Sequence, residues 1–86
     1  MIYVVTEEVW SMVVQEADRK LLQPARQIDA KQSKEEAEAR AHELASKFDH
    51  HEHEPEGDAD LRAYWWGRNE GVYETHRFKV KPTVSD

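Results

Sequence analysis

Alternating polar and hydrophobic residues in the C-terminal third predict two β-strands joined by a tight turn. Residues 61–80 contain two of the three Trp, two of the three Tyr and one of the two Phe. A two-residue turn at Glu70-Gly71 would pair Trp65 with His76 and separate the side chains into two faces. The expected core face contains Leu61, Ala63, Trp65, His76, Phe78 and Val80. The expected outer face contains Arg62, Tyr64, Trp66, Arg68, Tyr73, Thr75, Arg77 and Lys79.

A second register is open for the same hairpin. A three-residue loop at residues 69–71 ending in a glycine bulge would place Arg62 beside Phe78 and Val80. Because a one-residue slip moves every side chain to the other face, this register mixes a base into the apolar face. We therefore favour the two-residue turn, with His76 packed in the core rather than functional.

The N-terminal third fits two kinds of secondary structure. Residues 9–16 have the 3–4 spacing of a helix, which Thr6 could cap, but they are also rich in the β-branched and aromatic residues typical of strands. We favour strands, with Ile2 to Val5 included and a turn at residues 17–20. A second strand over residues 21–28 would lie at a sheet edge, because Pro24 lacks a backbone donor.

The central segment gives the clearest helix signal. Ser33 and Glu36 form a capping box. The Ser33 hydroxyl can accept a hydrogen bond from the Glu36 backbone N–H, and the Glu36 carboxylate can reach back to the backbone N–H of Ser33. The predicted helix runs to about Phe48. Its apolar stripe, at 3–4 spacing, consists of Ala37, Ala41, Leu44, Ala45 and Phe48. The order strands, helix, strands predicts an α+β fold: two hairpins in ββαββ order form a small antiparallel sheet, and one amphipathic helix packs on one face.

The remaining segments and the composition place the chain in a broad class. Residues 1–86 are expected to form one small domain, with a flexible His-rich and acidic loop at 49–60 and a frayed tail at 82–86. The net charge is −6, and ten of the 18 acidic residues lie between residues 32 and 60. No cysteine and no long apolar run are present, so we expect a cytoplasmic protein without a membrane segment.

The predicted outer face is the leading functional candidate. Aromatic rings beside Arg and Lys on a sheet can stack bases or hold acidic groups, although such pairs also serve only to stabilise sheets. The sequence therefore suggests a binding or regulatory module for an acidic protein or single-stranded nucleic acid. No nucleophile motif or glycine-rich phosphate loop is present, so we expect no enzyme activity and no cofactor. The expected contact residues are Arg62, Tyr64, Trp66, Arg68, Tyr73 and Arg77.

Two alternatives use other surfaces. Acidic residues Glu35, Glu38 and Glu43 of the helix, together with loop 49–60, could dock on a basic protein, as in a nucleic-acid mimic or a phage-type inhibitor. A solvated face that keeps the protein in solution is the simpler interpretation. Imidazoles in the loop could instead bind a metal ion, although a flexible His-rich loop binds metals weakly. These are His50, His51 and His53. A homodimer through a sheet edge is compatible with each hypothesis.

Overall fold

The fold is a five-stranded antiparallel sheet with one helix on one face, in the part of the chain that the structure describes. The structure is a computed structural model, and it describes residues 1–11, 20–57 and 62–84. The elements are β1 (Ile2–Ser11), β2 (Leu21–Lys31), α1 (Lys34–Ser46), β3 (His50–Glu54), β4 (Tyr64–Arg68) and β5 (Glu74–Thr83). The strand order is β2-β1-β5-β4-β3, and each neighbouring pair is antiparallel. The α+β class predicted from the sequence is confirmed.

Helix α1 begins where the capping box predicts. The Ser33 hydroxyl accepts a hydrogen bond from the backbone N–H of Glu36 at 3.1 Å, which satisfies one of the open donors of the first turn. On the inner side of the helix, Ala37, Ala41 and Ala45 are fully buried. Because these side chains are small, the helix lies close to the sheet, where it packs on Val5 and Phe78. The core is therefore narrow and lies along this alanine stripe.

Residues 9–11 of the ambiguous N-terminal segment belong to a strand, as we favoured. Strand β1 runs without interruption to Ser11 and pairs with β2 on one side and β5 on the other. Pairing on both sides satisfies its backbone groups, so the helical alternative is wrong for residues 9–11. Strand β2 lies at the sheet edge, as Pro24 predicted, because an edge strand tolerates a residue without a backbone N–H. Residues 12–16 and most of the expected turn, residues 17–19, lie outside the described residues.

The predicted loop at 49–60 is wrong in its first half, which forms strand β3. This edge strand is paired with β4 along its whole length, and the His53 ring stacks on Trp65 at 4.3 Å between centroids. Backbone hydrogen bonds to β4, rather than burial of its own side chains, stabilise this strand. Its sequence therefore shows no hydrophobic alternation. Residues 58–60 lie outside the described residues. Residues 82 and 83 of the predicted tail belong to β5, where Thr83 pairs with Ile2, and residues 85–86 lie outside the described residues.

The C-terminal hairpin has the predicted faces but a different register. Trp65 pairs with Phe78 and Gly67 with His76, so the pairing is shifted by two residues from the expected one. An even shift leaves each side chain on the same face. Ala63 precedes the paired residues, and Leu61 lies outside the described part of the chain. Trp65 and Phe78 pack in the core under α1, whereas Trp66 lies on the opposite face.

The register differs because the connection between β4 and β5 is longer than two residues. A turn closes with a hydrogen bond from the Val72 N–H to the Asn69 carbonyl at 3.1 Å, and Gly71 adopts a φ of 79°. Asp49, just before β3, forms two hydrogen bonds with this loop. Its carboxylate accepts from the Glu70 N–H at 3.0 Å, and its own N–H donates to the Asn69 side chain at 3.2 Å. These contacts join residues about twenty positions apart and stabilise the longer loop.

Candidate binding surface on the outer face of the sheet

The outer face of β4 and β5, which is turned away from α1, is strongly basic. Both strands are fully described, and on this face they place aromatic, basic and threonine side chains and no acid. The side chains are Tyr64, Trp66, Arg68, Thr75, Arg77, Lys79, Lys81 and Thr83. The neighbouring strands place Glu8, Glu52 and Glu54 on the same face of the sheet, so the excess of positive charge is confined to β4 and β5.

Cations and aromatic rings pack together at the centre of the outer face. The Arg77 guanidinium lies 4.7 Å from the Trp10 ring centroid and 4.9 Å from that of Tyr64. The Lys79 ammonium lies 5.7 Å from the Tyr64 centroid. Arg77, Lys79 and Tyr64 are all buried. Cation–π contacts at these distances stabilise the layer, and burial fixes the orientation of each group.

Carboxylates from the flanking strands complete this layer. Glu8 of β1 lies 3.3 Å from the Lys79 ammonium and accepts a hydrogen bond from the Trp10 indole N–H at 3.2 Å. On the other side, Glu54 of β3 accepts from the Trp66 indole N–H at 3.1 Å. Among the described residues, no buried side-chain nitrogen or oxygen lacks a hydrogen-bond partner, as the stability of a partly buried charged network requires.

Four of the six predicted contact residues, Tyr64, Trp66, Arg68 and Arg77, lie on the outer face of β4 and β5, whereas Arg62 precedes β4. Tyr64 and Arg77 are buried, and Arg62, Trp66 and Arg68 are half-buried. Tyr73 is 75 % exposed and lies in the connection between β4 and β5 rather than in a strand.

Sequence reasoning missed other members of this surface. Trp10 and Glu8 are contributed by β1 and contact Arg77 and Lys79, which the sequence had placed on this face. The pairing of β1 with β5 brings them to the hairpin, and no local pattern encodes that pairing. The one available signal was that Glu8 and Trp10 are two residues apart, which places them on the same face of a strand. The same segment also has helical spacing, so this signal was ambiguous.

The acidic helix residues are largely paired within their own helix. Glu43 lies 2.7 Å from the Arg40 guanidinium and 4.0 Å from the Lys47 ammonium, and Glu38 lies 3.9 Å from Lys34. Such pairs are ordinary features of an exposed helix. Glu35 is exposed. Two of the three acids are therefore partly compensated by neighbouring cations, and docking through this face stays a prediction.

The three histidines of β3 do not converge. His50 is on the outer face, where its Nε2 lies 2.5 Å from the Glu70 carboxylate, whereas His51 and His53 are on the helix side. The hydrogen bond from His50 lowers the pKa of Glu70 below its ordinary value. Within the described ranges, no group of three or more His, Asp or Glu side chains could hold a metal ion. Strand alternation places His50 on the opposite face of the sheet from His51 and His53, whereas a loop could have gathered all three around one ion.

Comparisons with known proteins leave the function to be argued from this geometry. The chain matches no protein-family model, no curated protein and no solved structure. Its only described helix, α1, is too short and too polar to cross a membrane.

Proposed function

We propose that this protein is a non-catalytic binding module whose outer sheet face binds an acidic segment of a partner protein. The observation that carries the proposal is the outer face of β4 and β5, where these two strands place basic and aromatic side chains and no acid, in a chain of net charge −6. Charge complementarity across an interface directs the choice of partner and accelerates association.

The structure of the face favours a protein partner over single-stranded nucleic acid. Base stacking needs accessible ring faces. The Tyr64 ring is buried and contacts Arg77 and Lys79, and the Trp10 ring contacts Arg77 as well.

The accessible positions around the buried layer would make the direct contacts. Lys81 is exposed at one end of β5, Arg68 and Trp66 are half-buried on β4, and Tyr73 is exposed at the opposite end of β5. Arg77 and Lys79 lie beneath and between them, where Glu8 offsets the charge of Lys79, and they form a fixed layer under the contact residues. A rigid base of this kind lowers the entropy cost of binding.

Fluorescence anisotropy with two labelled probes tests the proposal. An oligoglutamate peptide represents the acidic protein segment, and an oligothymidylate of the same length represents nucleic acid. We expect the peptide to bind more tightly than the oligonucleotide, and more tightly at low than at physiological ionic strength. The double variant Arg68→Glu with Lys81→Glu should weaken peptide binding by about tenfold at low ionic strength.

A matched control separates the face from the net charge. Lys34→Glu with Lys47→Glu changes the total charge equally, but both residues belong to the helix side. This variant should retain most of the affinity. Equal losses in the two double variants would show a non-specific charge effect and contradict the proposal. Tighter binding of the oligonucleotide would contradict the choice of a protein partner.

A further inference from the structure

The narrow alanine stripe of α1 leaves a cleft beside the C-terminal half of the helix. Because only small side chains lie directly under the helix, larger residues at its flank remain half-buried. The cleft has a volume of about 410 Å³. This volume falls within the range of ~300–1,000 Å³ typical of small-molecule sites. Its apolar lining consists of Ile28, Leu44, Phe48 and Phe78, and its polar lining of Glu7, Arg26, Lys47 and Asn69.

The one carboxylate that lines the cleft is already compensated by basic partners. Glu7 accepts two hydrogen bonds from the Arg26 side chain, at 2.8 and 3.2 Å, on one oxygen. Its other oxygen lies 3.0 Å from His76 Nδ1. The Glu7 side chain is only 11 % exposed. A cationic ligand would therefore find no open acidic group here.

The basic groups at the rim are accessible by contrast. The side chains of Arg26 and Lys47 are 67 % and 64 % exposed. Arg26 uses its Nε and Nη2 on Glu7, and a guanidinium has further N–H donors on Nη1. The Lys47 ammonium lies 4.0 Å from Glu43, at the limit of an ion pair. The cleft thus combines an apolar floor with a cationic rim.

We propose that this cleft binds a small amphipathic carboxylate, with its hydrocarbon part on the apolar floor and its carboxylate at Arg26 and Lys47. Apolar burial supplies affinity, and the two cations select the sign of the head group. The cleft lies on the helix side of the sheet. Binding here is therefore independent of the outer-face function, and either can fail alone.

Calorimetry with two ligands of equal tail length tests the charge selection. Decanoate and nonyltrimethylammonium carry the same nine-carbon chain and opposite head groups, and both are used below their micelle-forming concentrations. We expect decanoate to bind with one-to-one stoichiometry and nonyltrimethylammonium to give no saturable binding. Equal binding of both ligands, or no binding of decanoate, would overturn the proposal.

Variants locate the site. Leu44→Trp should fill the cleft and abolish decanoate binding without a change in charge. Lys47→Gln should weaken binding about two- to fivefold, as expected for a partly exposed charge, and Lys47→Arg should restore it. Lys34→Gln, on the same helix but outside the cleft, should leave binding unchanged. Unchanged affinity in a folded Leu44→Trp variant would refute the assignment.

NMR and light scattering provide readouts that do not depend on affinity alone. Decanoate should shift the backbone amide signals of Ile28, Leu44 and Phe48, and should leave that of Val80, which does not line the cleft, unchanged. The reverse pattern would place the ligand elsewhere and contradict the proposal. A dimer that dissociates in the Leu44→Trp variant would show that a second copy occupies the cleft, and this outcome would also overturn the proposal.

Discussion

Gly67 determines how closely α1 approaches the sheet, and its substitution gives a sharp test of the packing. Gly67 is a buried residue of β4 beneath the end of the helix. A Cβ added there would lie 2.5 Å from Phe48 Cδ2 and 2.9 Å from the Ala45 carbonyl oxygen. Ordinary contacts between carbon atoms are ~3.5–4.0 Å. The Gly67→Ala variant therefore requires the Phe48 ring and the helix end to shift by about 1 Å.

Two opposing terms set the magnitude of this effect. Overpacking of a core costs ~1–3 kcal/mol. Replacement of glycine lowers the entropy of the unfolded chain and returns ~0.4–1 kcal/mol. We therefore expect Gly67→Ala to lower the free energy of unfolding by about 1–2 kcal/mol. For a domain of this size, the midpoint temperature should fall by roughly 5–15 °C. Urea and thermal unfolding followed by circular dichroism measure both quantities.

A control and a double variant separate the clash from a general effect of losing glycine. Gly71 has no heavy atom within 4 Å of an added Cβ but has a φ of 79°, which Asn tolerates, so Gly71→Asn should change stability little. In a Phe48→Leu background, Gly67→Ala should cost less because the obstructing ring is absent. If Gly67→Ala is as stable as the parent, or costs the same in both backgrounds, the close approach of helix and sheet is refuted.

Three further predictions concern the helix start, the response to acid and the outer face. Ser33→Ala should lower the free energy of unfolding by about 1 kcal/mol through loss of the N-cap, whereas Ser46→Ala, an exposed control, should change it by less than ~0.5 kcal/mol in urea titrations. The backbone N–H of Ala30 donates a hydrogen bond to the Asp29 carboxylate, and this bond lowers the pKa of Asp29, as does the Arg40 guanidinium to a smaller extent. The charge of Asp29 thus contributes stability above about pH 4 that is lost as pH falls through the lowered pKa, so Asp29→Asn should be less stable than the parent near pH 7 and equal to it near pH 2. A difference that persists in acid would contradict this. Arg77→Lys, which loses the planar group between two rings, should cost about 1 kcal/mol and alter the near-ultraviolet circular dichroism, and an unchanged spectrum would argue against the stack.

Local signals predicted the helix and the faces of the hairpin correctly. The capping box and the alanine stripe depend on contacts within a few residues, so they can be recognised without the fold. The separation of Trp65 from Trp66 likewise follows from the alternation of side chains along one strand. The prediction of the two faces was correct although the predicted register was wrong, because the true pairing is shifted by two residues and an even shift preserves the faces. Alternation is a property of the backbone, whereas register depends on the loop.

Tertiary pairing decided what these signals could not. His50 to Glu54 contain no apolar residue, and they form a strand because β4 offers backbone partners. Asp49 holds the β4–β5 loop across about twenty residues of chain and fixes the register. Pairing of β1 with β5 brings Glu8 and Trp10 to the outer face and makes Arg77 part of a buried layer rather than an open contact.

By itself, then, the sequence determined the α+β class, the helix and its start, and which residues of the hairpin face α1. Each of these depends on contacts between residues close in the chain. Only the tertiary structure decided the strand order, the presence of strand β3, the closeness of Gly67 to the helix and the burial of Arg77. Each of these depends on backbone groups or side chains that come from distant parts of the chain and find their partners only in the assembled sheet.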